Sequence, residues 1–438
     1  MNANYRPVNL YNHVDYRRIC GDCRYSQEMI IANFFVILHL ATIVVKMASK
    51  MTTQLARRLT IPNHTFFLLG PRGVGKSSWL RHHFPDALWF NLLLTDTYLE
   101  LLNDPSIFRR RVEASSAEWV VIDEVQLLPP LLNEVHDLLA RFGTRYKFAL
   151  SGSSARKLRS GNANLLAGRA LDLRMFPLCS SELGDDFDLD RALAHGTLPS
   201  AYLNPTFSIL NLESYSRTYL EEEIQREAAV RQLDSFSRFL KAAALLNGNT
   251  VNATTVAREC GVSRPTVTNY FEICVATLIG CFLPSWQPRL KMREATHPKF
   301  YLFDTGVVRA LSGFLRAPVT ELESGILLET FVLQELRSCI CYRDTGGTLS
   351  YYRTRGGSEV DFVWTLGNYS IGIEVKSSKT WRSSNGSALR ELLQQKYIDR
   401  AIGIYRGAAR ELDRGVTVYP VAEFLSELWE GRILGIAK

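Results

Sequence analysis

The stretch from Gly70 to Ser77 has the residue types and the spacing of a phosphate-binding loop. It reads GPRGVGKS and fits the pattern G-x-x-x-x-G-K-[ST] at every fixed position. Its glycines allow backbone N–H groups to curve around phosphate oxygens, and the N-terminus of a following helix adds partial positive charge. Lys76 would reach the β- and γ-phosphates, and the Ser77 hydroxyl would ligate Mg²⁺. The predicted ATP-binding residues are Gly70, Pro71, Arg72, Gly73, Val74, Gly75, Lys76, Ser77 and Ser78.

Two adjacent carboxylates follow an apolar run further along the chain. Trp119–Glu124 predicts an apolar strand that ends in two carboxylates, Asp123 and Glu124. An open α/β sheet places such residues beside the bound phosphates. There an Asp holds Mg²⁺, and a neighbouring Glu can act as the general base that polarises the attacking water. The pair predicts ATP hydrolysis as well as ATP binding, the alternative being an exposed acidic strand end.

A further strand, Tyr146–Leu150, ends at Ser151. The Ser151 hydroxyl is expected to contact the γ-phosphate or the lytic water, unless the segment is a plain turn. Arg156 and Arg169 follow, and either could act as an arginine finger, within the chain or on a neighbouring subunit. Arg169 is our candidate catalytic arginine.

A second constellation lies near the C-terminus. Tyr369–Lys376 predicts a strand on which Glu374 and Lys376 share one face, with Asp361 on the neighbouring strand of a predicted hairpin. The two carboxylates form a hard oxygen site suited to Mg²⁺, and Glu329 from a predicted amphipathic helix would complete it. Lys376 would orient or help deprotonate a metal-bound water for attack on phosphate. The alternative is that Asp361 or Glu374 forms an ion pair with Lys376.

Between the two constellations, Asn252–Phe271 predicts two helices joined by a turn at Gly261. Ser263 would cap the second helix, and Pro265 lies in its first turn. This is a helix-turn-helix pattern, and the alternative is a winged-helix lid that packs on the ATPase without touching DNA. The residues that would face the major groove or the phosphates of DNA are Arg264, Thr266, Thr268 and Asn269.

These side chains need a scaffold that brings them together. Apolar runs alternate with helical segments after the loop, which predicts a parallel sheet and an α/β fold. The runs lie at 65–69, 87–92, 119–124 and 146–150. Further on, Ser216–Val230 predicts a linking helix with Glu222 and Arg226 four residues apart.

The composition is that of an ordinary globular protein, with 46% hydrophobic and 22% charged residues in 438. This length allows about three domains. A net charge of +7 permits contact with nucleic acid or an anionic membrane without requiring either. Eight cysteines do not form a disulfide framework, and the Cys20–Cys23 pair has no second pair at metal-binding distance. We therefore expect reduced thiols and a cytoplasmic protein.

Residues 1–50 differ from the rest of the chain. Met29–Val45 is an apolar run at the short limit for a membrane span, and its late start does not fit a signal peptide. Two interpretations stay open: a membrane anchor, or translated upstream sequence before a natural start at Met47 or Met51. The second is favoured because the apolar run is short for a membrane span, and Met51 leads directly into the first ATPase strand.

Several motifs, taken in order, resemble a family of predicted bacterial and archaeal AAA-superfamily ATPases. That family carries a C-terminal domain of unknown function related to PD-(D/E)xK nucleases. The motifs are GPRGVGKSS, VVIDEVQ, ALSGSSARKL, LLAGRAL, FYLFDTGVVRAL, LLETFVLQEL and SEVDFVW…GIEVKSS. The resemblance runs from Gln54 to the C-terminus. It implies ATP binding and hydrolysis, a winged-helix element and a nuclease-like end domain.

Motifs and resemblance together predict an α/β fold in four parts. These are an N-terminal extension (1–50), a P-loop AAA-type parallel-sheet ATPase (51–205), a helical linker with a winged-helix domain (206–318) and a restriction-endonuclease-like α/β domain (319–438). The predicted cofactors are ATP and Mg²⁺. DNA and a second copy of the chain are the expected partners, with a membrane only if 29–45 is an anchor. Three functions stay open. They are an ATPase coupled to a nucleic-acid transaction, a nucleotide-controlled regulatory or partner-binding switch with an inactive nuclease-like domain, and a membrane-anchored ATPase if 29–45 is an anchor.

Overall fold

The computed structural model describes residues 55–154, 166, 168–219, 233–287, 297–354 and 356–435. The chain divides into a unit of residues 1–56, of which only Leu55 and Ala56 are described, and a unit of residues 57–438. Four predictions lie outside the described residues: the apolar run at 29–45, the Cys20–Cys23 pair, Arg156 and the Glu222–Arg226 pair. Within the described ranges, no helix combines the length and the apolar character needed to span a membrane.

A five-stranded parallel sheet forms the first part of the larger unit. Helix α1 follows β1, helices α2 and α3 follow β2, and helix α4 follows β3, so the predicted parallel α/β sheet is confirmed. The spatial order is β2-β3-β4-β1-β5. The elements are β1 (Phe66–Leu69), α1 (Lys76–His83), β2 (Leu88–Asn91), α2 (Thr95–Asn103), α3 (Ser106–Ala114), β3 (Trp119–Asp123), α4 (Leu131–Phe142), β4 (Lys147–Gly152) and β5 (Leu171–Arg174).

Burial of apolar side chains holds this sheet. Val120 and Ile122 of β3 and Phe148 of β4 belong to one buried cluster. Val135 and Leu138 of α4 pack into the same cluster, from the apolar stripe that helical periodicity creates. The ends of β3 and β4 are therefore fixed relative to the loop that follows β1.

The middle part is mainly helical. The two helices of the predicted helix-turn-helix pattern form as α10 and α11, with Gly261 between them at a φ of 67° and the Ser263 hydroxyl accepting the Thr266 N–H. The elements are α5 (Ser180–Leu183), α6 (Leu189–His195), α7 (Pro199–Tyr202), α8 (Ser208–Ser214), α9 (Leu233–Leu245), β6 (Asn249–Thr250), α10 (Ala253–Cys260), α11 (Arg264–Ala276), β7 (Gly280–Leu283) and β8 (Lys299–Leu302). The three strands form an antiparallel sheet in the order β6-β8-β7.

The C-terminal part is a mixed sheet with helices. Its strands follow the order β13-β14-β12-β11-β10-β9, antiparallel from β9 to β11 and parallel from β11 through β12 to β14. Helix α12 (Thr305–Ser312) precedes this part and packs against α6 and α9. The elements of the C-terminal part are α13 (Glu321–Tyr342), β9 (Thr348–Arg353), β10 (Glu359–Leu366), β11 (Tyr369–Lys376), α14 (Ser387–Gln394), β12 (Arg400–Tyr405), β13 (Glu411–Asp413), β14 (Val416–Pro420) and α15 (Val421–Glu430).

Helix α13 differs from its prediction. The sequence predicts an amphipathic helix within 326–336, but the helix has 22 residues and is buried on nearly every side along that stretch, including Gln334 and Glu335. The helix is buried because it lies between α5 and α15. Its residue Glu335 accepts hydrogen bonds from Ser180 at the start of α5 and from Trp429 of α15.

The three-stranded sheet and the six-stranded sheet meet at one edge. The chain just after β7 pairs with β9, since the Trp286 N–H donates to the Tyr351 carbonyl at 2.6 Å and the Tyr351 N–H donates to the Pro284 carbonyl at 2.9 Å. The strands of the middle part therefore reach the sheet that carries Asp361 and Glu374.

Candidate functional site

The loop after β1 has the geometry that phosphate binding needs. Gly73 and Gly75 have φ values of 83° and 99°, a region that favours glycine. A Cβ on Gly70 would lie 2.3 Å from the Met175 carbonyl oxygen, so only glycine fits there. The Lys76 Nζ donates to the carbonyl oxygens of Gly70 at 2.7 Å and Pro71 at 3.1 Å. The ammonium thus lies inside the curve of the loop, at the start of α1.

Three elements bring oxygen atoms together beside this loop. The Ser77 hydroxyl of α1 donates to Asp123 Oδ1 at 3.0 Å, and the Ser151 hydroxyl of β4 donates to the same oxygen. Asp123, the last residue of β3, is only 1% exposed. Serine and carboxylate oxygens are donors that Mg²⁺ prefers, so the donor set here fits the predicted ion.

Glu124 is held at the end of β3 by its neighbours. Its φ of 62° is unusual for a residue with a side chain, and its N–H donates to Ser151 Oγ at 3.1 Å. The Gln126 amide donates to Glu124 Oε2 and, at 3.0 Å, to Ser153 Oγ. The strand was expected to include Glu124, but the left-handed backbone ends it at Asp123.

Gln126 was missed by the sequence reasoning. It is buried, and its Oε1 has no hydrogen-bond partner among the described residues. A Cβ at position 152 would lie 2.8 Å from that oxygen, so Gly152 makes room for the glutamine. The sequence signal that could have identified Gln126 was its position two residues after Glu124, in a tight turn.

Arg169 lies far from the loop in its own chain. It is exposed and precedes β5 by two residues, and Leu171 of β5 pairs with Phe66 at the start of β1. The phosphate-binding loop follows the other end of β1. Because parallel strands run the same way, Arg169 lies at the opposite edge of the sheet, which does not favour a role on the same chain's nucleotide. A role toward a neighbouring subunit stays a prediction.

Arg57 ties the loop to distant parts of the molecule. Its guanidinium donates to the Val74 carbonyl at 2.7 Å and the Phe176 carbonyl at 2.6 Å. It also pairs with Glu182 at 3.0 Å and donates to the Tyr342 hydroxyl at 3.3 Å. Tyr342 ends helix α13, so one side chain contacts both the loop and the helix that carries Glu329. The sequence offered no motif that pointed to Arg57.

The C-terminal constellation forms on adjacent strands, as the sequence predicts. Phe362 pairs with Ile373, which places Asp361 of β10 beside Glu374 of β11. The Lys376 Nζ lies 2.5 Å from Glu374 Oε1, which is the ion pair that the alternative interpretation describes. Asp361 Oδ2 accepts the Val375 N–H at 2.8 Å. Glu374 Oε2 is buried and has no hydrogen-bond partner among the described residues.

Two residues of β8 also contact this constellation. The Lys299 Nζ lies 3.0 Å from Glu329 Oε1 and 2.6 Å from Glu359 Oε1. The Tyr301 hydroxyl donates to the same Glu329 oxygen. The sequence reasoning placed Glu329 correctly next to the strands but missed Lys299 and Tyr301, since they belong to the middle part of the chain.

Burial and crowding shift the pKa values of these carboxyl groups. Burial raises the pKa of Glu329 to about 7, and the nearby Asp361 charge adds to the shift. The pKa values of Asp361 and Glu374 are also raised, in both cases chiefly by burial. The pKa of Lys376 is raised because the Asp361 and Glu374 charges outweigh the effect of burial. Burial therefore favours the neutral form of these carboxyl groups over the charged form.

The fit of a metal ion at this second site is partial. Within the described residues, no three His, Cys, Asp or Glu side chains are arranged to hold a metal. The donor chemistry is nevertheless suitable, since carboxylate oxygens bind Mg²⁺ and Glu374 Oε2 lacks a partner. Lysines hold Glu329 and Glu374 in the arrangement seen here.

The predicted DNA-facing residues lie at the start of α11. Arg264 and Thr268 are exposed, and Thr266 and Asn269 are half-buried. The Thr268 hydroxyl donates to the Arg264 carbonyl at 3.2 Å, and the Thr266 hydroxyl lies 2.8 Å from that of Ser263. Arg264 is thus the cation of this group that is open to solvent.

Three family profiles match consecutive parts of the chain. Residues 62–184 match the AAA domain, residues 186–317 match a domain of unknown function (DUF8612), and residues 324–424 match another domain of unknown function (DUF4143). The first match covers the parallel sheet and the phosphate-binding loop. This part of the chain is therefore an AAA-type ATPase-like domain.

Two similar proteins are the uncharacterized proteins from Mycobacterium bovis and Mycobacterium tuberculosis. Each is 24% identical over 324 residues, which are 73% of this chain and 72% of the relative. Among solved structures, the ORC2 protein of Aeropyrum pernix in its ADP form is 12% identical, covering 58% of this chain and 88% of that chain with a TM-score of 0.31. The replication initiator DnaA bound to AMPPCP and single-stranded DNA is 15% identical, covering 53% and 86% with a TM-score of 0.27.

Proposed function

We propose that the chain binds Mg-ATP at the loop 70–78 and hydrolyses it. The observation that supports this most strongly is the meeting of Ser77, Ser151 and Asp123 at one oxygen atom beside the loop. Lys76 lies within the same loop, and Glu124 follows Asp123 directly. These are the residue types that ATP hydrolysis requires, at the edge of the sheet where a nucleotide binds.

Each side chain has a role in this proposal. The Lys76 ammonium exchanges its two carbonyl contacts for charge-assisted bonds to phosphate oxygens. Ser77 and Asp123 would hold Mg²⁺, which would supply positive charge next to the phosphates. Ser151 fixes Asp123, and Glu124 accepts the proton of the attacking water. Gln126 orients the Glu124 carboxylate through its amide hydrogen bond.

Replacing Lys76 tests the proposal. In Lys76→Ala the loop loses its only ammonium, so ATP turnover measured by phosphate release is expected to fall to background. Arg81→Ala, which removes an exposed cation from the last turn of the same helix, is the matched control and should keep its turnover. Full turnover in Lys76→Ala would contradict the proposal.

We further propose that ATP hydrolysis is coupled to a nucleic-acid transaction. One support is the exposed Arg264 at the start of α11. The other is the C-terminal sequence of a helix, a hairpin and a strand, which carry Glu329, Asp361, Glu374 and Lys376.

Duplex DNA should raise ATP turnover in the wild type, and Arg264→Ala should weaken that response. The wild type is then tested for Mg²⁺-dependent nicking of plasmid DNA. If the wild type nicks the plasmid and Asp361→Ala does not, the C-terminal site has a nuclease activity in addition.

The second candidate function is a nucleotide-controlled switch with an inactive nuclease-like domain. It is favoured by the contacts of Arg57 with both the loop and Tyr342, and by the lysines that neutralise the C-terminal carboxylates. A switch predicts that a non-hydrolysable ATP analogue changes amide hydrogen exchange in α13, while plasmid DNA stays intact. If DNA changes neither turnover nor hydrogen exchange, the switch is the better description.

A further inference from the structure

Tyr215 connects the middle part of the chain to the phosphate-binding loop. It follows α8 directly, and its side chain is buried. Its hydroxyl donates to the Arg72 carbonyl at 3.0 Å, across 143 residues of sequence. A Cβ on Gly73 would lie 3.5 Å from the Tyr215 ring and 3.9 Å from the side chain of Leu198, which precedes α7. Two side chains of the middle part therefore lie against the loop.

The Arg72 carbonyl belongs to the peptide group that also carries the Gly73 N–H. This peptide is trans and planar, so its C=O and its N–H point in opposite directions. By holding the carbonyl, the Tyr215 hydroxyl fixes the direction of the Gly73 N–H. In a loop of this sequence pattern the backbone N–H groups are the donors that hold phosphate oxygens. The hydroxyl thus acts on a phosphate donor through the backbone.

Arg57 holds a second peptide of the same loop in the same way. Its guanidinium donates to the Val74 carbonyl at 2.7 Å, and the peptide that carries this carbonyl also carries the Gly75 N–H. Glycine can adopt many backbone conformations, so a loop that contains Gly73 and Gly75 needs contacts from outside to keep one of them. Tyr215 and Arg57 supply such contacts at alternate peptides.

The position of Tyr215 depends in turn on the rest of the middle part. Its ring packs against that of Phe303, with 6.2 Å between the centroids. Phe303 follows β8 directly and is buried, and its N–H donates to the Ile279 carbonyl at 3.0 Å. Glu213, two residues before Tyr215, pairs with Arg316 at 2.7 Å. A shift of these segments would therefore reach the loop through Tyr215.

We propose that Tyr215 is a positioning residue for ATP, which holds the Arg72–Gly73 peptide with its N–H turned toward the phosphates and makes nucleotide affinity depend on the middle part of the chain. The inference rests on the proposed binding of Mg-ATP to the loop. Glu124 is held by other side chains, Ser151 and Gln126. Tyr215 therefore contributes to binding equally before and during hydrolysis, which affects KM and leaves kcat unchanged.

Tyr215→Phe tests the proposal, because it removes the hydroxyl and keeps the buried ring. The Kd for a fluorescent ATP analogue and the KM for ATP should each rise about five-fold, as expected for the loss of one hydrogen bond. The kcat at saturating ATP should stay close to that of the wild type. Tyr405→Phe is the matched control, since it removes a hydroxyl that donates to the Ala409 carbonyl at 2.6 Å in the C-terminal sheet. It should leave Kd and KM unchanged.

Amide hydrogen exchange provides a second measurement that does not depend on turnover. Without nucleotide, exchange at 70–78 should be faster in Tyr215→Phe than in the wild type or in Tyr405→Phe. In the wild type, the ATP analogue should slow exchange at 208–218, since coupling between two sites is reciprocal. A purely structural role for Tyr215 would lower the unfolding temperature without changing Kd or exchange in the loop.

Equal Kd values in Tyr215→Phe and Tyr405→Phe would overturn the proposal. A lower kcat with an unchanged KM would overturn it too, and so would exchange at 208–218 that does not respond to the analogue. The proposed function fails separately, when the wild type binds no ATP or when Lys76→Ala keeps full turnover. A wild type that binds ATP no more tightly than Tyr215→Phe contradicts only the role of Tyr215.

Discussion

At the residue scale, the backbone and the side chain of Glu124 are both constrained in the ATPase site. Its left-handed backbone costs energy, of the order of 1–3 kcal/mol, and persists because Ser151 accepts its N–H and Gln126 bonds to its carboxylate. Strain of this kind is characteristic of functional positions. The geometry therefore supports Glu124, rather than Asp123, as the residue that acts on the water.

Glu124→Gln tests this assignment. The amide keeps the size of the side chain but cannot accept the proton, so ATP turnover should fall by about 10²–10⁴-fold while ATP binding is retained. Steady-state phosphate release and binding of a fluorescent ATP analogue measure the two effects. Glu118→Gln changes a side chain that is 61% exposed, just before the same strand, and serves as the control. Equal turnover in Glu124→Gln and the control would contradict the assignment.

Gly152→Ala tests the support that Gln126 gives. The added Cβ would lie 2.8 Å from Gln126 Oε1, so the glutamine must move away from Glu124. We expect lower ATP turnover with ATP binding preserved, and an effect smaller than that of Glu124→Gln because the carboxylate remains. Gly325→Ala, where a Cβ meets only Ser377 Oγ at 3.8 Å, should keep full turnover. A normal rate in Gly152→Ala would show that Gln126 is dispensable.

At the element scale, helix α13 connects the ATPase sheet with the C-terminal sheet. Its last residue, Tyr342, contacts Arg57, and Arg57 contacts the Val74 carbonyl of the phosphate-binding loop. Its earlier turns carry Glu329, which β8 holds through Lys299. One helix thus runs from the neighbourhood of the phosphate-binding loop to the carboxylate site.

Arg57→Met should loosen this connection. The change leaves the buried Glu182 carboxylate without its cation, which costs about 3–5 kcal/mol. Urea unfolding should show the loss, and amide hydrogen exchange should rise at the end of α13. Arg58→Met, at the exposed neighbouring position, is the control. A stability equal to that of the control would mean that Arg57 does not couple the parts.

At the scale of the whole molecule, single buried carboxylates join segments that are far apart in the sequence. Asp304, before α12, accepts the Thr197 N–H at 2.7 Å, and a Cβ on Gly196 would overlap its side chain. Glu335 of α13 accepts hydrogen bonds from Ser180 and from Trp429 Nε1. Burial raises the pKa of Glu335 to about 7, although the Trp429 and Ser180 hydrogen bonds oppose the shift.

Stability is therefore expected to depend on pH through Glu335. Its folded pKa exceeds its ordinary value of 4.5, so between these two values the folded state binds more protons than the unfolded state. The free energy of unfolding then falls as the pH rises from about 4.5 to about 7. Glu335→Gln should flatten this trend in thermal unfolding scans, whereas the exposed Glu391→Gln should not. An unchanged pH profile in Glu335→Gln would contradict the assignment.

The sequence by itself determined the local features. Glycines at fixed spacing dictate the loop of 70–78, apolar runs dictate the strands that end at Asp123 and at Ser151–Gly152, and alternation on β11 puts Glu374 and Lys376 on one face. Such features depend on neighbours along the chain, so periodicity and steric rules suffice to predict them.

Only the tertiary structure decided which distant residues meet. Arg57 is 285 residues from Tyr342, and Lys299 of β8 is 30 residues from Glu329 of helix α13. No periodicity encodes such contacts, because they follow from how whole elements pack. The same reason explains why Arg169 lies away from the loop and why α13 is enclosed rather than amphipathic. The chain thus specifies its phosphate-binding loop locally, while packing determines what that loop is connected to.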